Sequence, residues 1–337
     1  MRKFFQRLCL SGQSLSASRV RPAPHELKSP LLDPMALSTL FPHNHDIEER
    51  IQMGLRCRDA DFIPKVPDAG MVKCEDGERI QIMHNGVKVI ADGYYGAWMT
   101  RLIELSRGHH ETQEEVLFNA VLNSLPPDGT MLELGGFWAF YSISFLIADH
   151  KRKAIVAEPD PAHLAVGRKN LNLNGLTAEL VQGYVGNTPG VVTPFQTEES
   201  GTLDIVCLDL PALLEANKFE TLTIFHCDAQ GAELAALTQM KEYFLAGRVK
   251  WVFVSTHHHR ISGDPLMHER CTMLLRQFGA TIVAEHDVYE SYSGDGLICA
   301  IFGELPKGWV TPEISYNRAS TSLYRHPSYD LAQAQGK

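Results

Sequence analysis

Met131-Leu132-Glu133-Leu134-Gly135-Gly136-Phe137-Trp138-Ala139 runs from an apolar strand through a glycine-rich turn into the start of a helix. Glycines let a backbone approach a ligand closely, and a helix N-terminus offers N–H groups with no intrahelical partner. In dinucleotide-binding sheets such a turn holds a pyrophosphate. Ala139 stands at the third glycine position, which that pattern allows, but Glu133 would repel a diphosphate and suits a cationic amino group better. A tight turn with no ligand is the alternative. The next strand ends at Glu158-Pro159-Asp160-Pro161. An acid about 20 residues beyond the turn, at the end of the second strand, accepts hydrogen bonds from ribose hydroxyls, and Glu158 holds that place. Asp160 and Pro161 read as the N-cap and first residue of a helix, and Gly175 as its C-terminal cap.

Outward from this turn, short apolar strands alternate with amphipathic helices. Strands are expected at 130–134, 153–157, 178–182, 222–227, 250–255, 281–285 and 297–302, and helices near 138–149, 161–173, 231–246 and 266–278. That alternation predicts an α/β fold: a Rossmann-like, mainly parallel, doubly wound sheet with right-handed crossovers. The last two strands leave no room for a helix, so an antiparallel edge should close the sheet. Before it, Arg79–Met83 and Val87–Ile90 flank His84-Asn85-Gly86, a β-hairpin signal. Helices are expected around 47–55, 97–105 and 109–125, the last stopped by Pro126 and Pro127. The organisation expected is a basic N-terminus (1–25), an extension carrying the hairpin and serving as a substrate or cap region (26–108), the main domain (109–305) and a C-terminal tail (306–337).

The 337 residues are 44% hydrophobic and 21% charged, enough apolar material for a large core. A net charge of −9 speaks against duplex nucleic acid as a partner, since that needs a basic face. No apolar run reaches the roughly 18 residues of a membrane span. Seven cysteines, with no C-x-x-C pair, fit neither a disulfide framework nor a zinc ribbon. They point to a reducing, cytoplasmic setting. Arg2, Lys3, Arg7, Arg19 and Arg21, with Phe4, Phe5 and Leu8, leave room for a transit peptide or peripheral membrane contact.

Several segments together resemble the FkbM-type S-adenosylmethionine-dependent methyltransferases. They are the glycine turn, Glu158-Pro159-Asp160, Asn170-Leu171-Asn172-Leu173-Asn174-Gly175, Asp228-Ala229-Gln230-Gly231-Ala232-Glu233 and Phe253-Val254-Ser255-Thr256-His257. Gly108-His109-His110-Glu111 matches a bacterial subgroup. The resemblance spans roughly residues 95–303 and keeps the motif order. It implies a class I methyltransferase fold, S-adenosylmethionine as cofactor, and methylation of a hydroxyl on a sugar, glycan or natural product. Most of the family has Asp-x-Gly-Ala-Asn-x-Gly at the turn, whereas Phe137 and Ala139 replace its asparagine and last glycine here.

The residues then nominate a site. Glu133, Gly135, Gly136, Phe137, Glu158 and Asp228 are the expected cofactor contacts. Asp228 ends an apolar strand, where open α/β sheets bind ligands, although a helix N-cap is the plain alternative. His257, His258 and His259 follow the next strand. Strand alternation would put His257 and His259 on one side and His258 on the other. The resemblance places the family histidine at His257, so His257 and Asp228 are the expected catalytic pair, with His257 accepting a hydroxyl proton. Solvated loop histidines are the alternative, and no metal site is expected. His110 or Glu111 could line the pocket from the preceding helix, and Tyr94, Tyr95, Trp98, Trp138 and Tyr141 could form a sugar-stacking wall. Two rival functions remain at this stage: a nicotinamide-dependent Rossmann oxidoreductase and a non-catalytic cofactor-binding module.

Overall fold

In the computed structural model, residues 47–318 and 322–324 are described. The basic N-terminus (1–25) and residues 26–46 of the extension lie outside them. Helix α1 (Ile47–Arg56) buries Ile51 and Met53. Strands β1 (Val72–Glu75), β2 (Glu78–Ile82) and β3 (Lys88–Ile90) form a three-stranded antiparallel sheet, with β2 and β3 as the expected hairpin. Helices α2 (Ala97–Leu105) and α3 (Thr112–Ser124) follow. The second starts later than residue 109 because the Glu115 carboxylate captures the His110 and Glu111 N–H groups, fixing those residues as a loop.

The main sheet then unfolds in order: β4 (Thr130–Leu134), α4 (Phe140–Ile147), β5 (Lys153–Glu158), α5 (Pro161–Leu173) and β6 (Glu179–Gln182). A ribbon of β7 (Val192–Gln196) and β8 (Thr202–Val206) and helix α6 (Leu210–Ala216) interrupt it. It resumes with β9 (Leu222–Cys227), α7 (Glu233–Gln239), α8 (Lys241–Leu245), β10 (Val249–Thr256), α9 (His259–Ser262), α10 (Met267–Gln277), β11 (Ala280–His286) and β12 (Gly296–Phe302). The order across the sheet is β11-β12-β10-β9-β4-β5-β6. All neighbours are parallel except those of β12, which is antiparallel to both β10 and β11. This is a Rossmann-like, doubly wound sheet whose direction of winding reverses between β4 and β9. The antiparallel strand lies one in from the edge. Burial explains the choice: every residue of β12 is buried, whereas β11 is half exposed and suits the rim.

Alternate residues feed two cores. Met131, Trp251, Phe253, Leu297 and Cys299 face one side, where α3, α4 and residues 51–103 cover them. Leu132, Leu134, Val252, Val254 and Ile298 face the other, under α7, α8 and α10. Each fully buried large side chain contributes about 1.5–3 kcal/mol. The extension therefore shares a core with the sheet. The expected helix at 138–149 begins only at Phe140, because Phe137 and Ala139 adopt positive φ (31° and 61°) in the turn. The expected helix 231–246 is two short helices meeting at Met240. Among the described residues the six cysteines are unpaired, and no helix is long and apolar enough to cross a membrane.

Candidate active site

A cavity of about 510 Å³ opens at the carboxyl ends of β4, β5, β6 and β9, where the winding reverses. Glu133, Gly135, Gly136, Phe137, Glu158 and Asp228 all line it. The glycine turn does a different job from the one its sequence suggests. Gly135 has φ +74°, and a Cβ there would overlap the Asp228 carbonyl oxygen, so glycine lets the end of β4 close on the end of β9. The N–H groups of Gly135 and Gly136 both donate to the Ala157 carbonyl, at 2.9 and 3.2 Å. The turn therefore has no free pair of donors for a pyrophosphate.

Glu158 is buried beside this turn. Its Oε2 accepts from the Phe137 N–H at 3.3 Å and its Oε1 from the Asp160 N–H at 2.9 Å, with His163 Nδ1 3.4 Å from Oε1. The Phe137 ring lies on His163, centroids 3.4 Å apart. Asp160 caps α5 as expected, accepting from Ala162 N at 2.9 Å. It also accepts from Glu199 N (2.7 Å) and the Ser200 hydroxyl (2.5 Å), which hold its carboxyl well below the usual range and tie the β7–β8 turn to the cavity rim. Glu133 accepts from Ser142 N at 3.1 Å, and burial pushes its pKa up.

A second cavity of about 210 Å³ adjoins the first and shares Tyr94, Tyr95, His110, Glu111, Asp228 and Gln230 with it. Trp98, His257, Asp295, Tyr292, Tyr324 and Arg50 are among its other walls. Glu111 stands where the two meet. It is the N-cap residue of α3, yet its side chain makes no capping bond. Glu115 does that work instead, accepting from the N–H groups of His110 (2.8 Å) and Glu111 (3.1 Å) and from His109 Nδ1 (2.5 Å). His84 and His110 also lie against Glu115, at 3.2 and 2.6 Å. The His109 and His110 imidazoles hold the Glu115 carboxyl far below its ordinary pKa against the opposing effect of burial. Gly108 (φ +94°) is required here, because a Cβ would overlap the His84 backbone. This hub also puts His84, His109 and Glu115 within 4.8 Å of one another, a grouping with metal-ligand chemistry that the sequence did not suggest.

Freed from capping, Glu111 turns into the cavity. Its Oε2 accepts from the Tyr141 hydroxyl at 3.1 Å and lies 3.4 Å from His110 Nε2. Burial, reinforced by Glu114, Asp228 and Asp295, pushes its pKa up to about 8 although His110 acts the other way. Tyr94, stacked on Trp138 at 4.3 Å, and Tyr95 line both chambers, whereas Trp138 and Tyr141 line the larger and Trp98 the smaller.

His257 reaches the site but meets a different environment from that of a free base. Its Nδ1 lies 2.7 Å from Glu233 Oε1, and its Nε2 lies 3.2 Å from Asp228 and 3.5 Å from Asp295. Burial favours the neutral ring, but the three carboxylates outweigh it and hold the pKa well above the usual 6.5. The surroundings therefore favour the imidazolium, with a carboxylate facing each ring nitrogen. The alternation expected along His257–His259 does not occur, because β10 ends at Thr256. His258 instead caps α9, accepting from Arg260 N, and stacks on Tyr324 at 4.0 Å, while His259 is exposed in the helix. Asp295, just before β12, and His163, inside α5, escaped the sequence reading because neither sits at the carboxyl end of a parallel strand. His226 was legible: it lies two residues before Asp228 on β9, hence on the same face.

A doubly wound sheet with a ligand-sized cavity at its switch point defines a Rossmann-like small-molecule-binding domain. Residues 127–282 match the family described as the methyltransferase FkbM domain. Among solved structures it is similar to precorrin-6y C5,15-methyltransferase from Geobacter metallireducens (14% identity, covering 57% of this chain and 90% of that one, TM-score 0.37). It is also similar to an O-methyltransferase from Bacillus cereus in complex with SAH (17%, 57% and 81%, TM-score 0.37). A third is an m1A22 tRNA methyltransferase from B. subtilis (13%, 56% and 66%, TM-score 0.33). No curated protein matches the chain.

Proposed function

We propose that the protein is an S-adenosylmethionine-dependent O-methyltransferase acting on a hydroxyl of a sugar, glycan or natural-product acceptor. The observation that carries this reading is the pair of joined chambers whose junction is flanked by Glu111 and Asp228. The larger chamber fits the cofactor: Glu133 and Asp228 suit its ammonium end, Glu158 its ribose, and Gly135, Gly136 and Phe137 its flank. Among the described residues, three imidazole nitrogens of its lining, His110 Nδ1, His163 Nε2 and His226 Nδ1, are buried with no hydrogen-bond partner; Glu115 lies 2.6 Å from the first, and a ligand could serve the other two. The cofactor contributes an electrophilic methyl group on a sulfonium.

In this reading the smaller chamber takes the acceptor, with Tyr94, Tyr95 and Trp98 against its apolar faces and carboxylates accepting from its hydroxyls. Transfer of the methyl group to the acceptor oxygen would leave the electron pair of the carbon–sulfur bond on the cofactor's sulfur, so the chain's own task is to orient the hydroxyl and take its proton. Glu111 receives the hydroxyl proton. A positive charge arriving beside Glu111 favours its ionised form, so cofactor binding readies the base. Asp228 orients the hydroxyl, and the His257 imidazolium holds Asp228, Asp295 and Glu233 together. This reassigns the proton from His257 to Glu111. Proximity and orientation supply most of the acceleration.

A nicotinamide oxidoreductase is disfavoured by Glu133 and by a glycine turn whose donors are already engaged. Mass spectrometry of small molecules bound to the purified protein, then labelled-methyl transfer to methyl glycosides and cell-envelope glycans, tests the proposal. Binding of NADH but not S-adenosylhomocysteine would reject it, and cofactor binding without transfer to any hydroxylated acceptor would favour a binding module. Glu158→Ala should lower S-adenosylhomocysteine affinity at least tenfold, because each charge-assisted hydrogen bond lost is worth ~1.5–3 kcal/mol. Unchanged affinity by calorimetry would remove Glu158 from the site.

A further inference from the structure

Carboxyl groups dominate the larger chamber: Glu111, Glu133, Glu158 and Asp228 all line it. They suit the ammonium and hydroxyls of an adenosyl amino acid, but the α-carboxylate of such a ligand needs a donor. His226 also lines the chamber, its side chain only 3% exposed. It sits on β9 directly across from Glu133 on β4 and shares a face with Asp228. Its Nε2 lies 2.7 Å from Glu114 Oε1, and the Ser255 hydroxyl fixes Glu114 by donating to Oε2 at 3.0 Å. The ring is thereby oriented, and its Nδ1 is left buried with no partner.

Burial opposes protonation of His226, but Glu114, Glu133 and Asp228 outweigh it and raise the pKa, which favours the form with a proton on Nδ1 as well as Nε2. Of the other unpartnered lining nitrogens, His163 Nε2 lies 3.9 Å from both Glu198 and Glu199, and His110 Nδ1 lies 2.6 Å from Glu115, unfavourable places for a further anion. Resting on the cofactor reading above, we propose that His226 receives the α-carboxylate of the adenosyl amino acid at Nδ1, with Glu114 as the positioning residue that aims the ring. Glu133 and His226 then form a paired cradle for the two charges of the amino-acid end.

The test is calorimetry with two probes: S-adenosylhomocysteine and its decarboxylated analogue, 5′-deoxy-5′-(3-aminopropylthio)adenosine. Wild type should prefer the first at least tenfold. The glutamine amide in His226→Gln reaches the Nε2 position and keeps a partner for Glu114 while removing the cavity donor. It should lose at least tenfold in affinity for S-adenosylhomocysteine and leave the decarboxylated analogue nearly unchanged. The amide of His226→Asn occupies the Nδ1 position, so this variant should retain more of the preference. Equal losses for both probes, or none, would overturn the proposal. Binding of neither probe by wild type would reject the cofactor reading itself, a separable result. Should the glutamine variant unfold, 15N-histidine spectra of wild type decide the matter. S-adenosylhomocysteine, and not the analogue, should move one imidazole Nδ1 resonance, and no such difference would count against His226.

Discussion

Glu111→Gln is expected to lower methyl transfer 10²–10⁴-fold, the usual worth of a general base, while S-adenosylhomocysteine affinity changes only a few-fold. The glutamine keeps the shape and one acceptor oxygen for the Tyr141 hydroxyl, so the loss falls on proton transfer. Because the Glu111 carboxyl is pushed up to about 8, the wild-type rate should climb as pH rises through that value and then level off. The variant should lack that limb. Stability supplies an independent readout. A carboxyl whose folded pKa is raised keeps its proton after the unfolded chain has lost it, so stability falls as pH rises from the ordinary value near 4.5 to about 8. Glutamine mimics the protonated form and cannot ionise. At pH 9 the variant should therefore melt no lower than wild type although it is nearly inactive. A variant with normal turnover, or one that loses turnover and alkaline stability together, would take the base role from Glu111.

The sheet was legible because its central strands are buried on both faces and read as continuous apolar runs. Thr130–Leu134 and Leu222–Cys227 fall where their composition puts them. The parallel topology then carried the site, since it sends Glu133, Glu158 and Asp228, each at or near the end of a strand, to one edge of the sheet. The ribbon β7–β8 was invisible because Val192–Gln196 contains a proline and alternates between exposed and half-buried positions, with no apolar run to betray it. Gly108-His109-His110-Glu111 was noticed, but its role was not readable. That role depends on Glu115 reaching back to cap the loop, which leaves Glu111 to face the cavity. Likewise the meaning of His257 turned on Asp295 and Glu233, which sequence distance separates and folding brings to its two nitrogens.

His257→Ala should destabilise the fold more than a surface change at the neighbouring His259. Removing the imidazolium leaves Asp228, Glu233 and Asp295 facing one another without their counter-charge. Breaking a buried ion pair by deleting one partner costs roughly 3–5 kcal/mol, which at roughly 2–4 °C per kcal/mol lowers the melting temperature by about 6–20 °C. The sign of the pH dependence follows from the raised pKa of His257. Its stabilisation is complete below the ordinary imidazole value near 6.5 and is lost as pH climbs through the elevated folded value. The gap in melting temperature between wild type and His257→Ala should therefore be widest near pH 6 and narrow in alkaline buffer. His259→Ala, at an exposed helix position, should melt within a degree or two of wild type at every pH. His258 is unsuitable as the control, because it caps α9 and stacks on Tyr324. If His257→Ala melts like wild type and yet loses turnover 10²-fold or more, the ring is not the cation that binds the carboxylates together. The proton-accepting role expected from the sequence would then return to His257.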